Sequence, residues 1–99
     1  MKNNVYILDR AILYLNGPES KEFLQNLVSN DLNKVSDNSS CFASLLTPQG
    51  KFLYDFIIIK HKSGYFIDCE KNQSEEIFNQ LNLYKIRSKV EILNLSNEF

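Results

Sequence analysis

Residues 45–59, Leu-Leu-Thr-Pro-Gln-Gly-Lys-Phe-Leu-Tyr-Asp-Phe-Ile-Ile-Ile, constrain the fold more than any other stretch. The aromatic and β-branched run after Lys51 has the length and residue types of a strand. Alternate side chains of a strand point to opposite faces. Phe52, Tyr54, Phe56 and Ile58 then share one face, and Leu53, Asp55, Ile57 and Ile59 share the other. Both faces read as apolar, which predicts a central strand covered on both sides. A carboxylate buried there needs hydrogen bonds or a cation, or it takes up a proton. Asp55 is therefore the first candidate for chemistry or for holding a polar ligand group. The competing reading is a structural Asp held by a nearby Lys, Arg or backbone N–H.

Pro48-Gln49-Gly50 before the strand supplies turn chemistry, because Pro presets φ and Gly accepts positive φ. The turn predicts a hairpin between a strand over 41–47 and one over 51–61. Lys62-Ser63-Gly64 turns the chain again into a strand over 65–70, completing an antiparallel meander. Upstream, Val5-Tyr6-Ile7-Leu8 and Ala11–Asn16 read as two short strands. Gly17-Pro18 reads as a helix entry, with Pro at the first helical position. Phe23, Leu24, Leu27 and Val28 fall on one face of a helix over 18–28. Asp31 follows as a turn or cap residue, and residues 33–40 read as a loop. Asn72 with Glu75 resembles a capping box. It precedes a helix over 73–84 with Ile77, Phe78, Leu81 and Tyr84 as its apolar stripe. Tyr84, Lys85, Arg87 and Lys89 read as a helix C-terminus whose dipole favours cations. Arg87 stands out as a permanently charged partner for a carboxylate. A last strand covers 89–95. The order ββαβββαβ predicts an α+β domain with a mainly antiparallel sheet and two helices.

The 99 residues make one domain at most, and a chain of this size buries about 60–65% of its unfolded surface. A hydrophobic share of 43% fits a globular chain. The formal net charge of −1, with acids and bases intermixed, argues against a dedicated nucleic-acid or membrane surface. No apolar run is long enough to span a bilayer, and Met1–Tyr6 lacks the apolar core of a signal peptide, so the chain is expected in the cytoplasm. Cys41 and Cys69 stand apart, without CxxC spacing, and read as buried thiols rather than zinc ligands or a disulfide. There is no GxGxxG, Walker A or GxSxG motif. His61, the one histidine, reads as a solvated turn residue.

Several segments together carry a resemblance. They are Asn16-Gly17-Pro18, Phe23-Leu24-Gln25, Leu27-Val28-Ser29-Asn30-Asp31, Leu45–Lys51 with Asp55-Phe56, and Leu83–Val90. Over Tyr6–Leu95 the chain resembles the N-terminal part of the YgfZ-type folate-binding proteins, relatives of the glycine-cleavage T-protein, an aminomethyltransferase. The Thr47–Lys51 turn with the downstream Asp-Phe is the specific part.

The resemblance implies half of a folate-binding domain that is built from two ββαβββα halves exchanging their first strands. Full members are about three times longer, a size of two to three domains, so a truncated chain or a short homologue is expected. The implied cofactor is tetrahydrofolate. Asp55 would contact the pterin, and Gln49, Gly50 and Lys51 would form the neighbouring loop, with Lys51 available for folate's carboxylates. Arg87 completes the candidate binding set. The implied role is iron–sulfur cluster assembly or repair, and through it tRNA modification. Folate and iron–sulfur proteins are the expected partners, with no direct contact to nucleic acid or membrane.

Two alternatives stand beside this role. One is tetrahydrofolate-dependent aminomethyl transfer, and the other a non-catalytic interaction or oligomerisation module. Against transfer, Tyr54 occupies the first of two positions at which the T-protein carries adjacent acids. The Lys-Gly-Cys-x-x-Gly-Gln-Glu-like motif by which YgfZ-type members are known lies further downstream in the family and is missing from these 99 residues. A lone half-domain leaves apolar faces and sheet edges uncovered. A homodimer with first or last strands crossing between chains is the expected repair.

Overall fold

A computed structural model describes residues 10–95. Its elements are β1 (Arg10–Asn16), α1 (Ser20–Gln25), a 3₁₀ turn (Leu32–Lys34), β2 (Ser40–Leu46), β3 (Phe52–His61), β4 (Gly64–Glu70), α2 (Lys71–Tyr84) and β5 (Glu91–Asn94). The expected strand over Val5–Leu8 lies outside the described residues. The five strands form one antiparallel sheet in the order β2-β3-β4-β1-β5. The α+β class and the meander β2-β3-β4 are as the sequence predicts. No described helix is long and apolar enough to cross a membrane.

The alternation of each strand sends one set of side chains into a single core. Ala11, Leu13 and Leu15 of β1 meet Ala43 and Leu45 of β2, Phe56 and Ile58 of β3, and Ile67 and Cys69 of β4. Phe23 and Leu24 of α1 and Ile77 and Leu81 of α2 belong to the same cluster, so both helices serve one face of the sheet. In α2 the buried residues Ser74, Ile77 and Leu81 follow the three- and four-residue spacing of a helix face.

Among the described residues the opposite face has no such cover, which corrects the expectation of a strand buried on both sides. Leu53 and Asp55 are exposed, and Ile57 and Ile59 are half-buried. The register sets Ile57 beside Phe42 and Ile59 beside Phe66 on this face, so cross-strand neighbours account for apolar residues there.

The helix starts differ from the sequence reading. α1 begins at Ser20, with Pro18 in the turn before it. α2 begins at Lys71 with Glu70 as its N-cap and no side-chain cap bond, so Asn72 and Glu75 form no capping box. The amine of Lys85 donates to the Val90 carbonyl at 3.4 Å, on the path into β5.

Gly17 sits at φ +127°, and a Cβ there would meet the Lys89 carbonyl oxygen at 2.5 Å. Glu19 secures the same crossing. Its backbone N–H donates to the Lys89 carbonyl at 3.3 Å, and its carboxylate accepts from the Lys89 N–H at 3.1 Å. Gly17→Ala adds both a disfavoured φ and this collision. It should destabilise the fold by more than ~1 kcal/mol, read as a lowered melting temperature, whereas Gly50→Ala meets no neighbouring atom within 4 Å and carries only its own φ of +87°.

Candidate functional site

The hairpin between β2 and β3 sets the position of Asp55. Its register pairs Ser44 with Asp55, and Leu45 with Tyr54. Ser44 and Asp55 therefore stand side by side on the open face, and the Ser44 hydroxyl donates to Asp55 Oδ1 at 2.5 Å. The carboxylate is exposed while its serine partner is buried. This overturns the expected burial of Asp55. Its partner is a neutral hydroxyl supplied by the adjacent strand, and among the described residues neither Arg87 nor another cation is paired with it. Among the described residues the ion pair is Arg10 with Asp68, at 2.9 Å.

The turn before β3 is held by Thr47. Its hydroxyl accepts the backbone N–H groups of Gln49 (3.2 Å) and Lys51 (3.1 Å), and its carbonyl accepts that of Gly50 (2.9 Å). These bonds leave the side chains of Gln49 and Lys51 exposed at the tip. Asp55 lies four residues further along β3, about 13 Å from Lys51 in extended chain. Asp55, Gln49, Gly50 and Lys51 thus occupy one end of the sheet.

Arg87 does not join them. α2 starts beside that end, where Tyr54 donates to Glu76 at 2.8 Å, and runs to the other. Arg87 follows its C-terminus, close to the Lys89–Gly17 crossing at the far end of β1. A depression lined by Asn16, Gly17, Pro18, Ser20, Lys21, Ser63 and Tyr65 also lies at that far end, away from Asp55.

The Leu27–Asp31 segment, part of the resemblance, has a structural task. Gln25 bridges the loop, donating to the Asn30 carbonyl at 2.8 Å and accepting the Leu32 N–H at 2.7 Å. Asp31 caps the 3₁₀ turn by accepting the Asn33 N–H at 2.9 Å, as its residue type predicts.

Both cysteines are buried thiols, as expected. Burial pushes Cys69 up to about 11, and burial also raises Cys41. Tyr54 is raised as well, first by its hydrogen bond to the Glu76 carboxylate. His61 is half-buried rather than a free turn residue, and its ring stacks on Phe66 with centroids 4.4 Å apart.

Sequence reasoning missed Ser44. The signal was present in the turn, since a hairpin centred between Gln49 and Gly50 brings residues 44 and 55 opposite each other.

Searched against protein-family models, the chain matches none. It is similar to the "Iron-sulfur cluster assembly factor IBA57 homolog, mitochondrial" of Neurospora crassa, with 24% identity over 93% of this chain and 23% of that protein. The homologue of the same name from Dictyostelium discoideum is 26% identical over 96% of this chain and 30% of its own length. The human "Iron-sulfur cluster assembly factor IBA57, mitochondrial" is 30% identical over 84% of this chain and 27% of its length. The chain spans about a quarter of the length of these relatives. Among solved structures, the glycine cleavage system aminomethyltransferase T from Bartonella henselae superposes with a TM-score of 0.80. That match has 18% identity and covers 91% of this chain and 25% of the other.

Two outcomes follow from the geometry. Ser44→Ala removes one hydrogen bond to an exposed carboxylate and should cost about 0.5–1.5 kcal/mol in urea unfolding. Cys69 keeps its proton in the folded chain to higher pH than in the unfolded chain, where the thiol titrates near 9.0. Its contribution is complete below pH 9.0 and lost as pH rises through about 11. Cys69→Ala should flatten the decline in stability over that window, measured by urea unfolding at a series of alkaline pH values.

Proposed function

We propose that this chain, which has the T-protein-like fold and is related in sequence to the assembly factors above, serves iron–sulfur cluster assembly as a tetrahydrofolate-binding half-site. The carrying observation is the extent of the likeness. Three proteins named as assembly factors match 93%, 96% and 84% of the chain. The cluster itself is cargo in this reading. Cys41 and Cys69 point into the core, so their thiols are not presented to it.

The folate contact is proposed at the end of the sheet that carries Asp55, Gln49, Gly50 and Lys51. An exposed carboxylate can accept the N–H donors of a pterin ring. The amine of Lys51 can meet a glutamate tail. Arg87, at the opposite end, is left out of this contact. Modification of tRNA by an iron–sulfur enzyme would depend on the chain indirectly, through its cluster.

Aminomethyl transfer has less support. Tyr54 stands where the T-protein carries an acid, and its hydroxyl is engaged by Glu76. The reading places the chain in the cytoplasm. The three relatives are mitochondrial by name, and fractionation of cells making a C-terminally tagged chain decides between the compartments.

Titration calorimetry with tetrahydrofolate tests the cofactor. The wild-type chain should bind, and Asp55→Ala should bind at least tenfold more weakly, whereas Ser44→Ala, which loses the same hydrogen bond, should keep most of the binding. Absence of heat with the wild-type chain would refute folate binding. Cells lacking the chain should lose iron–sulfur enzyme activity, regained with the wild-type gene. Unchanged activity would refute the assembly role.

A further inference from the structure

The depression at the end of the sheet opposite Asp55 has a volume of about 480 Å³, within the range of small-molecule sites, about 300–1,000 Å³. It forms where β1 ends, β4 begins and α1 starts. Asn16 closes β1, Ser63 belongs to the turn between β3 and β4, Tyr65 lies on β4, and Ser20 and Lys21 open α1.

Two of these side chains are buried and yet unpaired. Ser20 is 3% exposed and Tyr65 4% exposed, and neither hydroxyl has a hydrogen-bond partner among the described residues. Buried polar groups are nearly always paired. Among the described residues no fully buried side-chain oxygen or nitrogen lacks a partner. Each of these two hydroxyls therefore retains accessible surface, and it opens into the depression that both residues line.

The rest of the lining is rich in donors. Ser63 donates to Asn16 Oδ1 at 3.2 Å, which leaves the NH₂ of that amide as its donating end. Lys21 donates to Asn33 Oδ1 at 2.7 Å, and an ammonium has two further N–H groups. No acid lines the depression. The nearby Glu19 carboxylate is turned to the Lys89 N–H. The Lys60 amine, 5.5 Å from the centre of the Tyr65 ring, adds positive charge beside the same wall. Burial raises the Tyr65 pKa, so its hydroxyl stays protonated and able to donate.

We infer that this depression is a binding site for a small phosphate monoester. Hydroxyl, amide and ammonium donors contributed by β1, β4 and α1 suit a tetrahedral oxyanion, which accepts from several directions at once. Lysine meets phosphate as a point charge, whereas a planar carboxylate is best matched by the fork of an arginine, and no arginine lines the depression. A phosphate group alone would leave most of the volume empty, and Pro18 offers apolar surface to an organic part. The site lies at the opposite end of the sheet from Asp55, so the inference is independent of the folate reading.

NMR titration of the isotope-labelled wild-type chain with glycerol phosphate, inorganic phosphate and succinate tests it. Saturating amide shifts at Gly17, Ser20 and Ser63 are expected with glycerol phosphate, weaker binding with inorganic phosphate, and no saturation with succinate. Tyr65→Phe keeps the ring and removes only the unpaired hydroxyl. It should leave the melting temperature near wild type and raise the dissociation constant for glycerol phosphate about tenfold. Ser20→Ala and Lys21→Ala should weaken binding to a similar extent. Lys71→Ala removes an exposed charge at the start of α2 and should leave binding unchanged. Shifts that fail to saturate at Gly17, Ser20 and Ser63 overturn the inference. So do equal affinity for succinate or bare phosphate, unchanged affinity in the Tyr65, Ser20 and Lys21 variants alike, and equal weakening by Lys71→Ala.

Discussion

Pairing of β1 with β4 is the contact on which the rest of the sheet depends. It joins residues fifty to sixty positions apart, from Arg10 opposite Glu70 to Leu15 opposite Tyr65. β2, β3 and β4 can assemble locally through two hairpins. β5 has no partner in that meander and, among the described strands, pairs with β1 alone. Without β1, therefore, the sheet loses both its fourth strand and the site at which its fifth can attach. Contacts of this range require loop closure before they contribute. Gly64 shows how tightly the two strands approach. A Cβ there would collide with the Leu15 carbonyl and the Tyr14 ring.

The two sheet edges are treated differently. Along β2, the Leu46 N–H donates to Leu27 and the Ser44 carbonyl accepts from Ser29, both through backbone groups. The Ser44 N–H donates to the Ser29 hydroxyl, and the Asn30 side chain donates to the Phe42 carbonyl. The edge groups that would template another strand are thereby occupied. β5 is protected by brevity, with four residues.

Much of this architecture was legible in the sequence because local signals and the global fold agree. The meander was readable from two turns and three alternating runs. Both helices were readable from Phe23-Leu24 and from Ile77, Phe78 and Leu81. The failures have specific causes. Period-two alternation with apolar residues on both faces does not distinguish a second covering layer from cross-strand contacts on an open face, and Ile57 and Ile59 are of the second kind. In the second turn the positive φ falls on Lys62, at 54°, which the Lys-Ser-Gly sequence does not announce, while Gly64 serves the close approach to β1. Helix starts were displaced because the ends of β1 and β4, rather than Pro18 or Asn72, fix where each helix begins.

The placement of Asp55 changes what an occupant of its surroundings must provide. As a solvated carboxylate with one hydroxyl donor it costs the fold little, so stability alone does not demand an Asp there. Covering it is another matter, since a carboxylate withdrawn from water needs hydrogen-bond donors in exchange. An apolar surface laid over Ile57 and Phe66 is favourable there and unfavourable over Asp55. A planar ligand rich in N–H groups has the opposite preference. The open face is thus divided between an apolar band toward the His61 end and a polar corner at Asp55 and the Thr47 turn.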